Sequence, residues 1–587
     1  MRTTGARSPE IALLLAGGLC ALPFLMPYHD LPVKAFHAEW LAAVLGIGAA
    51  LAALASAPSA AWPTPARWLI AFAIFLGCMA ALGSPAYPQL LWVAALYVVY
   101  AALMLWLGAQ LTGTLGLERV AVTLAACLLV GALLTALSGV VQFYGRPRLL
   151  EDFVAELYGT RAYGNIGQAN LYANYLVLGE GSLAYLWARS RVRTPHMLAA
   201  LALLLWGLAL AGSRSALLYV LWLAVLATLT ARGDENRRLR GFLYAAACAT
   251  LLADVMVPWL NSLLHLGPAS EGALERVLVD EAAEPRPLLW LLGLRVFAGA
   301  PVFGVGIGEF ARAAFDSGLD PALLHRGELW TSPHNLVLQL LAETGLVGAA
   351  LALAGLGAWG LQAARGFRES RDLARWWLVA TVGVELIHSM IEFPLWYAHY
   401  LGVTALLMGA GTTPDPRSPA MSRPGRIATG TTCAVLAFAS IVLLRDYLRL
   451  DSARVTGAAV TLARAADAQR DAATMRELTR GLMAPLAEYW LVIGAPLDRS
   501  DLAGKLAMSE RVARFWPTYD VLARHAVFLA LSGQAGGALE LLARLLQTLP
   551  HRRVQIVAIL AQARGADPAA IDPLLRLAEG DSRENRD

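Results

Sequence analysis

The chain has 587 residues, of which 58% are hydrophobic and only 15% are charged. Because a soluble domain carries about 25% charged residues, this composition indicates a membrane protein and excludes an ordinary soluble enzyme. The net charge is only +4, and no basic tract of the kind that binds nucleic acid is present. The five cysteines lie far apart in apolar runs, so neither a disulfide framework nor a cysteine metal site is predicted.

Apolar runs long enough to cross a bilayer, which takes about 20 residues, recur along the first 450 residues. They predict about 13 membrane spans. The runs occupy approximately 11–26, 39–57, 66–83, 89–111, 118–143, 169–188, 197–212, 214–231, 241–264, 345–363, 376–392, 395–411 and 427–444.

Loops that are rich in arginine alternate with loops that are poor in it along this series, and cytoplasmic loops are the ones that collect Lys and Arg. Placing the N-terminus in the cytoplasm puts the rich loops inside, for example 189–193, 232–240 and 365–375. The polar segments 163–174, 212–215, 265–334 and 392–396 then all lie outside. Polar groups gathered at one membrane face predict a site there.

The stretch 329–348 begins with signals for the start of a helix. Thr331 or Ser332 can cap the helix, and Pro333 suits its first position. His334 is therefore predicted at a helix start outside the membrane. The plain alternative is a capped helix that carries a surface histidine, since single histidines are common.

The predicted helix after His334 has a polar face. Asn335, Gln339 and Glu343 recur every four residues, so they share one side of the helix. Gly345 predicts the end of this helix, after which a new apolar run begins.

Uncharged amides enter the span at 169–188 with spacings of two to four residues: Asn165, Gln168, Asn170 and Asn174. Amides both donate and accept hydrogen bonds, so they suit hydroxyl-rich ligands such as sugars. The alternative is a capped, glycine-bent entrance to the span.

Charged residues stand beside these amides on the predicted outer face. Arg214 lies in a very short turn between two spans, where an arginine is costly unless it pairs with an anion or reaches the lipid headgroups. Arg286 and Arg295 lie in the long loop. Glu392 begins a Glu-Phe-Pro-Leu-Trp turn between two spans and is a candidate for substrate binding. The alternative is that this segment is a plain re-entrant turn.

These motifs resemble those of the bacterial superfamily of O-antigen ligases, O-antigen polymerases and protein O-oligosaccharyltransferases. The Pro-His-Asn and Glu-x-Gly-Leu-x-Gly of 333–348 resemble its histidine segment. The string at 164–174 closely resembles the segment of pilin-glycosylating O-oligosaccharyltransferases. The Gly-Ser-Arg-Ser of 212–215 resembles the first arginine motif, and Arg286 the second, with Arg295 as its competitor.

The resemblance implies transfer of a preassembled glycan from undecaprenyl pyrophosphate to Ser or Thr of an exported protein such as pilin. It implies a site at the periplasmic face of the bacterial inner membrane. Arg214 and Arg286 would hold the pyrophosphate, and His334 would take the proton of the acceptor hydroxyl, with inversion at the sugar. No cofactor is expected. The chain has no Asp-x-Asp pair, which favours arginines over a metal as the partner of the phosphates.

Other functions remain open at this point. An O-antigen ligase would use a lipid A core sugar as acceptor, and an O-antigen polymerase is the third choice. A polytopic transporter belongs to another class, and it would place polar groups near the midplane of the membrane and not all at one face.

The domain organisation follows from the same runs. We expect spans at 1–264, a long periplasmic loop at 265–344, further spans at 345–445 and a helical periplasmic domain at 446–587. Within the last domain, His525 to Leu549 reads as two short helices that resemble one tetratricopeptide-type repeat. Such a helical surface could hold a protein acceptor beside the site.

Overall fold

The computed structural model describes residues 8–29, 31–55, 60–230, 233–269, 272–278, 285–318, 329–370, 372–412, 421–458 and 465–580. These residues form α-helices joined by turns and short 3-10 helices, with no strand among them, so the predicted all-α class is confirmed. The helices are α1 (Ser8–Ala21), α2 (Phe36–Leu54), α3 (Thr64–Leu82), α4 (Pro88–Leu115), α5 (Leu117–Tyr144), α6 (Ala169–Ala188), α7 (Thr194–Ala211), α8 (Arg214–Thr228), α9 (Asp234–Leu264), α10 (Ala273–Leu278), α11 (Arg286–Gly299), α12 (Phe310–Asp316), α13 (Leu336–Ser370), α14 (Leu373–Ser389), α15 (Ala398–Ala410), α16 (Arg423–Ala458), α17 (Ala465–Leu478), α18 (Ala484–Gly494), α19 (Leu502–Phe515), α20 (Tyr519–Leu531), α21 (Ala535–Thr548), α22 (Arg553–Ala563) and α23 (Pro568–Glu579).

Each of the predicted membrane runs contains most of an α-helix or lies largely within one. In the described part of the chain, 9 helices are long and apolar enough to cross a bilayer, and this agrees with a polytopic membrane protein. They are the helices that contain Ser8–Leu25, Phe36–Leu54, Thr64–Leu82, Pro88–Leu115, Leu117–Tyr144, Thr194–Ala211, Asp234–Leu264, Leu336–Ser370 and Arg423–Ala453. The other four, α6, α8, α14 and α15, fall short in length or hydropathy, so the count of 13 stays a prediction.

The first of two compact units comprises segments 1–71, 97–283 and 352–440. In its core α5 packs against α1, α6 and α7, and α6 packs against α8 and α14. Glycines on α5 make room for tyrosines of α6. A Cβ on Gly131 would lie 2.1 Å from the Tyr175 hydroxyl, and one on Gly139 would lie 2.2 Å from the Tyr172 hydroxyl. Small residues of this kind let membrane helices approach closely.

The second unit comprises segments 72–96, 284–351 and 441–587. Its largest core is built by α18 to α23, which pack as successive helix pairs. Two helices are confirmed where the run from His525 to Leu549 predicts them, although the first begins earlier, at Tyr519. Turns follow Gly494 and Leu531, and a 3-10 helix begins at Pro550. The tetratricopeptide resemblance stays a prediction.

Helices also occur outside the apolar runs. The described residues of the segment 265–344 include α10, α11 and α12. The helix that contains the run at 427–444 continues to Ala458, since Ala, Leu and Arg keep helix propensity high beyond the apolar run. The four predicted domain boundaries stay predictions.

Candidate active site

His334 lies in the second unit, in a turn immediately before α13. Its backbone is left-handed, with φ of 53°, and its amide donates a hydrogen bond to Ser332 Oγ at 3.0 Å. The Trp330 ring stands edge-on to the imidazole with the ring centroids 5.7 Å apart. A left-handed backbone at a non-glycine residue costs about 1–2 kcal/mol, and such strain concentrates at functional sites. A strained turn therefore presents the half-buried imidazole.

The start of α13 differs from the predicted one. The helix begins at Leu336, and Asn335 caps it because its Oδ1 accepts a hydrogen bond from the Leu338 amide at 3.1 Å. The prediction of a cap at Thr331 or Ser332, with Pro333 as the first helical residue, is wrong. The left-handed His334 breaks any right-handed helix that would start before it. Asn335 thus has a structural task, and its contact with substrate stays a prediction.

The polar face of α13 anchors a glycine-rich turn. The amides of Val305 and Gly306 donate to the Ala342 and Glu343 carbonyls, and the Gly308 amide donates to Glu343 Oε1 at 2.8 Å. Glu343 is buried, so its carboxylate serves this turn and not solvent. Residues 304–308 therefore form a turn that is fixed to α13.

The end of the first part of α13 is as predicted. Gly345 has φ of 63° and ψ of −168°, a conformation that is open only to glycine, and the helical hydrogen bonding is interrupted there. The Leu346 amide instead donates to the Pro301 carbonyl at 2.8 Å. The segment that carries His334 is therefore held at both ends.

Arg286 and Arg295 lie at different sides of α11. Gly293 of this helix packs on the histidine segment, since a Cβ there would lie 3.1 Å from Pro333 Cβ. Arg286 precedes Gly293 by seven residues, almost two full turns, so it shares that side of the helix. Arg295 follows Gly293 by two residues and points to the opposite side, where it is exposed. Arg286, and not Arg295, therefore lies on the side of α11 that packs on the histidine segment.

Asn170 connects the predicted polar residues of the first unit. Its Nδ2 donates to Glu392 Oε1 at 3.0 Å, and its Oδ1 accepts from Ser213 Oγ at 3.0 Å. Ser213 is the N-cap residue of α8, whose first residue is Arg214. The ends of α6 and α8 and the turn after α14 therefore meet, and this brings Asn170, Arg214 and Glu392 into one cluster.

Two further arginines belong to this cluster, although the sequence pattern did not single them out. Arg161 donates from Nε to the Ala211 carbonyl at 2.7 Å and from Nη2 to Asn170 Oδ1 at 3.0 Å. Arg276 donates from Nη1 to the Gly212 carbonyl at 3.0 Å. Burial, together with the nearby guanidinium groups of Arg276 and Arg214, lowers the pKa of Arg161 to about 10, whereas Glu392 acts in the opposite direction.

We call Arg161, Arg214 and Arg276 the arginine cluster. Arg161 is close enough to the guanidinium groups of Arg214 and Arg276, and to the Glu392 carboxylate, to interact with all three electrostatically beside the N-terminus of α8. Guanidinium forks and helix N-termini both suit phosphate oxygens, so the cluster favours a polyanion. Arg276 lies on α10, and the sequence contained one signal for the position of that helix. Asp254 is an acidic residue in an apolar run, and its carboxylate caps α10 by accepting from the amides of Ala273 and Leu274 at 2.7 and 2.8 Å.

The remaining amides of the 164–174 string have different surroundings. The Asn165 side chain is buried and hydrogen-bonded to the backbone of Leu25, Phe153 and Ala155, so it organises the loop. Gln168 is the N-cap residue of α6 and lines a cavity. Asn174, the sixth residue of α6, is fully buried beside Glu385. Their contacts with sugar stay predictions.

The predicted residues are thus divided between the units. His334, Asn335, Arg286 and Arg295 lie in the second unit, and Asn165, Gln168, Asn170, Asn174, Arg214 and Glu392 lie in the first. Within the described residues, no three His, Cys, Asp or Glu side chains gather as metal ligands would.

Comparisons with known proteins agree with this picture. Residues 199–353 match the family described as O-Antigen ligase, a segment that includes Arg214, Arg286 and His334. Residues 376–563 match the family described as Virulence factor membrane-bound polymerase, C-terminal. The chain is also 25% identical over 431 residues to a General O-oligosaccharyltransferase of Acinetobacter baylyi, and the alignment covers 70% of this chain and 72% of that protein.

Proposed function

We propose that this chain transfers a glycan en bloc to protein. The matches above confirm its resemblance to the O-oligosaccharyltransferases of the O-antigen ligase superfamily. The donor would be a glycan on undecaprenyl pyrophosphate, and the acceptor Ser or Thr of an exported protein such as pilin. The reaction would take place at the periplasmic face of the bacterial inner membrane. The arginine cluster carries this proposal, because a pyrophosphate leaving group needs fixed positive charge.

The chemistry assigns one task to each group. Negative charge grows on the pyrophosphate as its bond to the sugar breaks. Arg214, with Arg161 and Arg276, stabilises that charge, and preorganised charge of this kind often contributes more to catalysis than any other single effect. Arg286 would also bind the pyrophosphate, as the family resemblance implies. Since the donor already stores the energy of the bond, no nucleotide is consumed.

His334 is the proposed general base. It takes the proton from the acceptor hydroxyl while the oxygen attacks the anomeric carbon from the side opposite the pyrophosphate, so the configuration inverts. A positioned base contributes about 10²–10⁴-fold. The strained turn at 332–334 supports this role, because it presents the imidazole outside any helix.

The experiment uses the purified protein with lipid-linked glycan and three alternative acceptors: a pilin, lipid A core and a second donor glycan. Glycosylated pilin is the expected product. Product only on lipid A core would identify a ligase, and chain growth on the donor would identify a polymerase. Arg161→Ala and Arg276→Ala should each lower transfer, whereas Arg148→Ala, an exposed arginine of the loop before α6, should not.

An arm of the same experiment contains EDTA. We expect undiminished transfer, because arginines neutralise the phosphates in this proposal. Loss of activity in EDTA that added divalent cation restores would contradict the metal-independent mechanism.

A further inference from the structure

The first unit contains a cavity of about 500 Å³ beside the start of α6. A volume of about 300–1,000 Å³ is typical of sites for small ligands. Its wall carries rings of tyrosine, an amide and charged groups, chief among them Lys34, Tyr158, Tyr163, Gln168 and Tyr397. None of the residues that the preceding sections assign to phosphate binding or to proton transfer lines it.

The walls of the cavity suit a carbohydrate. Flat aromatic faces pack on the C–H faces of sugars, and an amide such as Gln168 donates to and accepts from hydroxyl groups. The walls are unsuited to a polyprenyl chain, because hydrocarbon would desolvate the exposed charges of Lys34 and Glu156. The cavity therefore suits the sugar end of a lipid-linked donor and not its lipid end.

The Tyr163 ring and the loop around it are held in place. Tyr163 donates its hydroxyl hydrogen to the Glu156 carbonyl and accepts a hydrogen bond from the Tyr158 amide at 2.8 Å. His29 contacts the Asn165 carbonyl at 2.8 Å. Gly167 has φ of 84°, and a Cβ there would lie 2.9 Å from the His29 ring. The wall is therefore a built surface, formed by close packing of the loop before α6.

The position of the cavity connects it to the arginine cluster. Gln168 lines the cavity, whereas Asn170, two residues further along, hydrogen-bonds Arg161 and Ser213. Gln168 is the N-cap residue of α6 and Asn170 is its second residue, so the cavity and the arginine cluster lie at the same end of this helix. A single molecule with a pyrophosphate joined to a glycan would therefore reach both places.

We infer that this cavity is a subsite for the glycan of the lipid-linked donor, and that it holds sugars beyond the one that is attached to the pyrophosphate. The inference rests on the proposed function. A consequence is that donors with longer glycans are better substrates, because the cavity adds contacts which a single sugar cannot make.

The test uses lipid-linked glycan extracted from the source bacterium, either intact or trimmed by glycosidases to its first sugar. The measured quantity is the ratio of kcat/KM for the intact donor to that for the trimmed donor. We expect a ratio of about 10 or more for the unaltered protein, which is the size of effect that one or two lost contacts produce. Tyr158→Ala, which removes a ring, and Ile166→Trp, which fills the cavity, should bring the ratio close to one.

Phe153→Ala is the matched control, because Phe153 is an exposed ring of the same loop that does not line the cavity. It should keep the ratio of the unaltered protein. Equal kcat/KM values for the two donors in the unaltered protein, or a ratio that survives Ile166→Trp in a correctly folded variant, would overturn the subsite. No transfer from either donor by the unaltered protein would instead overturn the proposed function.

Discussion

Arg514 binds both carboxylate oxygens of Glu309, with nitrogen-to-oxygen distances of 2.7–2.9 Å, and the Ala86 amide donates to Glu309 Oε1 at 2.9 Å. Glu309 directly follows the glycine turn that rests on α13. Nearby, Leu329, five residues before His334, packs against the core of α18 to α23. Within the second unit, the C-terminal helices therefore support the segment that carries the histidine.

Arg514→Ala should lower transfer to a folded acceptor and to a short acceptor peptide by the same factor. The change leaves the largely buried carboxylate of Glu309 without its charged partner, which costs about 1–3 kcal/mol of stability. It also loosens the turn that holds α13. The measurement is kcat with both acceptors at matched enzyme amounts. Arg499→Ala is the control, because it removes an ion pair with Asp567 in the same helical domain at an exposed position. Loss confined to the folded acceptor would instead indicate that the domain recognises the acceptor, as the sequence predicts.

His334→Gly should abolish transfer while the protein folds and inserts normally. Glycine adopts the left-handed backbone at this position without strain, so this variant removes the imidazole and leaves the turn intact. The expected loss is about 10²-fold or more in kcat. Glycosylated acceptor is measured in cells that lack the native enzyme, with thermal unfolding as the test of folding. Near-normal product would remove His334 from the mechanism.

Gly345→Ala should severely destabilise the second unit. A Cβ at this position would lie 2.3 Å from the backbone of Val302, and the backbone conformation itself is strained for any other residue. We expect a loss of about 3 kcal/mol or more, seen as a lower Tm and a lower protein level. Gly357→Ala, later in the same helix, meets no atom within 4 Å and should be neutral or slightly stabilising. Similar Tm values for the two variants would contradict the close packing of α13 on residues 301–306.

His525 should make the stability of the second unit depend on pH. Burial, reinforced by Arg312, lowers the pKa of its imidazole to about 4, and Ser509 Oγ lies 2.8 Å from Nδ1. A group whose folded pKa lies below its unfolded pKa of about 6.5 binds more protons in the unfolded state between these values, so stability falls as pH falls from about 6.5 to 4. The effect is at most about 3 kcal/mol. His525→Gln should flatten the fall in Tm over this range, and an unchanged pH profile would show that another group is responsible.

Gly537→Cys tests the predicted orientation of the C-terminal domain. Gly537 is exposed, with no atom near the place of a Cβ, so a cysteine there is tolerated and accessible. A thiol reagent that cannot cross the inner membrane should label it in intact cells. Labelling only after the cells are opened would place this domain in the cytoplasm and shift the count of spans by one.

The sequence by itself determined the all-α class, the positions of the apolar helices and the identity of the histidine segment. Hydrophobic runs and glycine or proline breaks are local properties, so they can be read without tertiary contacts. Tertiary structure decided what these residues do for one another. The left-handed backbone of His334 and the capping role of Asn335 depend on Ser332 and on the start of α13, which propensity does not specify.

The arginine cluster is the clearest case of a feature that only the tertiary structure decided. Arg161, Arg214 and Arg276 are separated by more than fifty residues in each step, and no spacing rule brings such positions together. They meet because the loop before α6, the turn between α7 and α8, and α10 pack at one end of the same helices. The preference for Arg286 over Arg295 has the same origin, since it depends on which side of α11 faces Pro333 and not on the residue type.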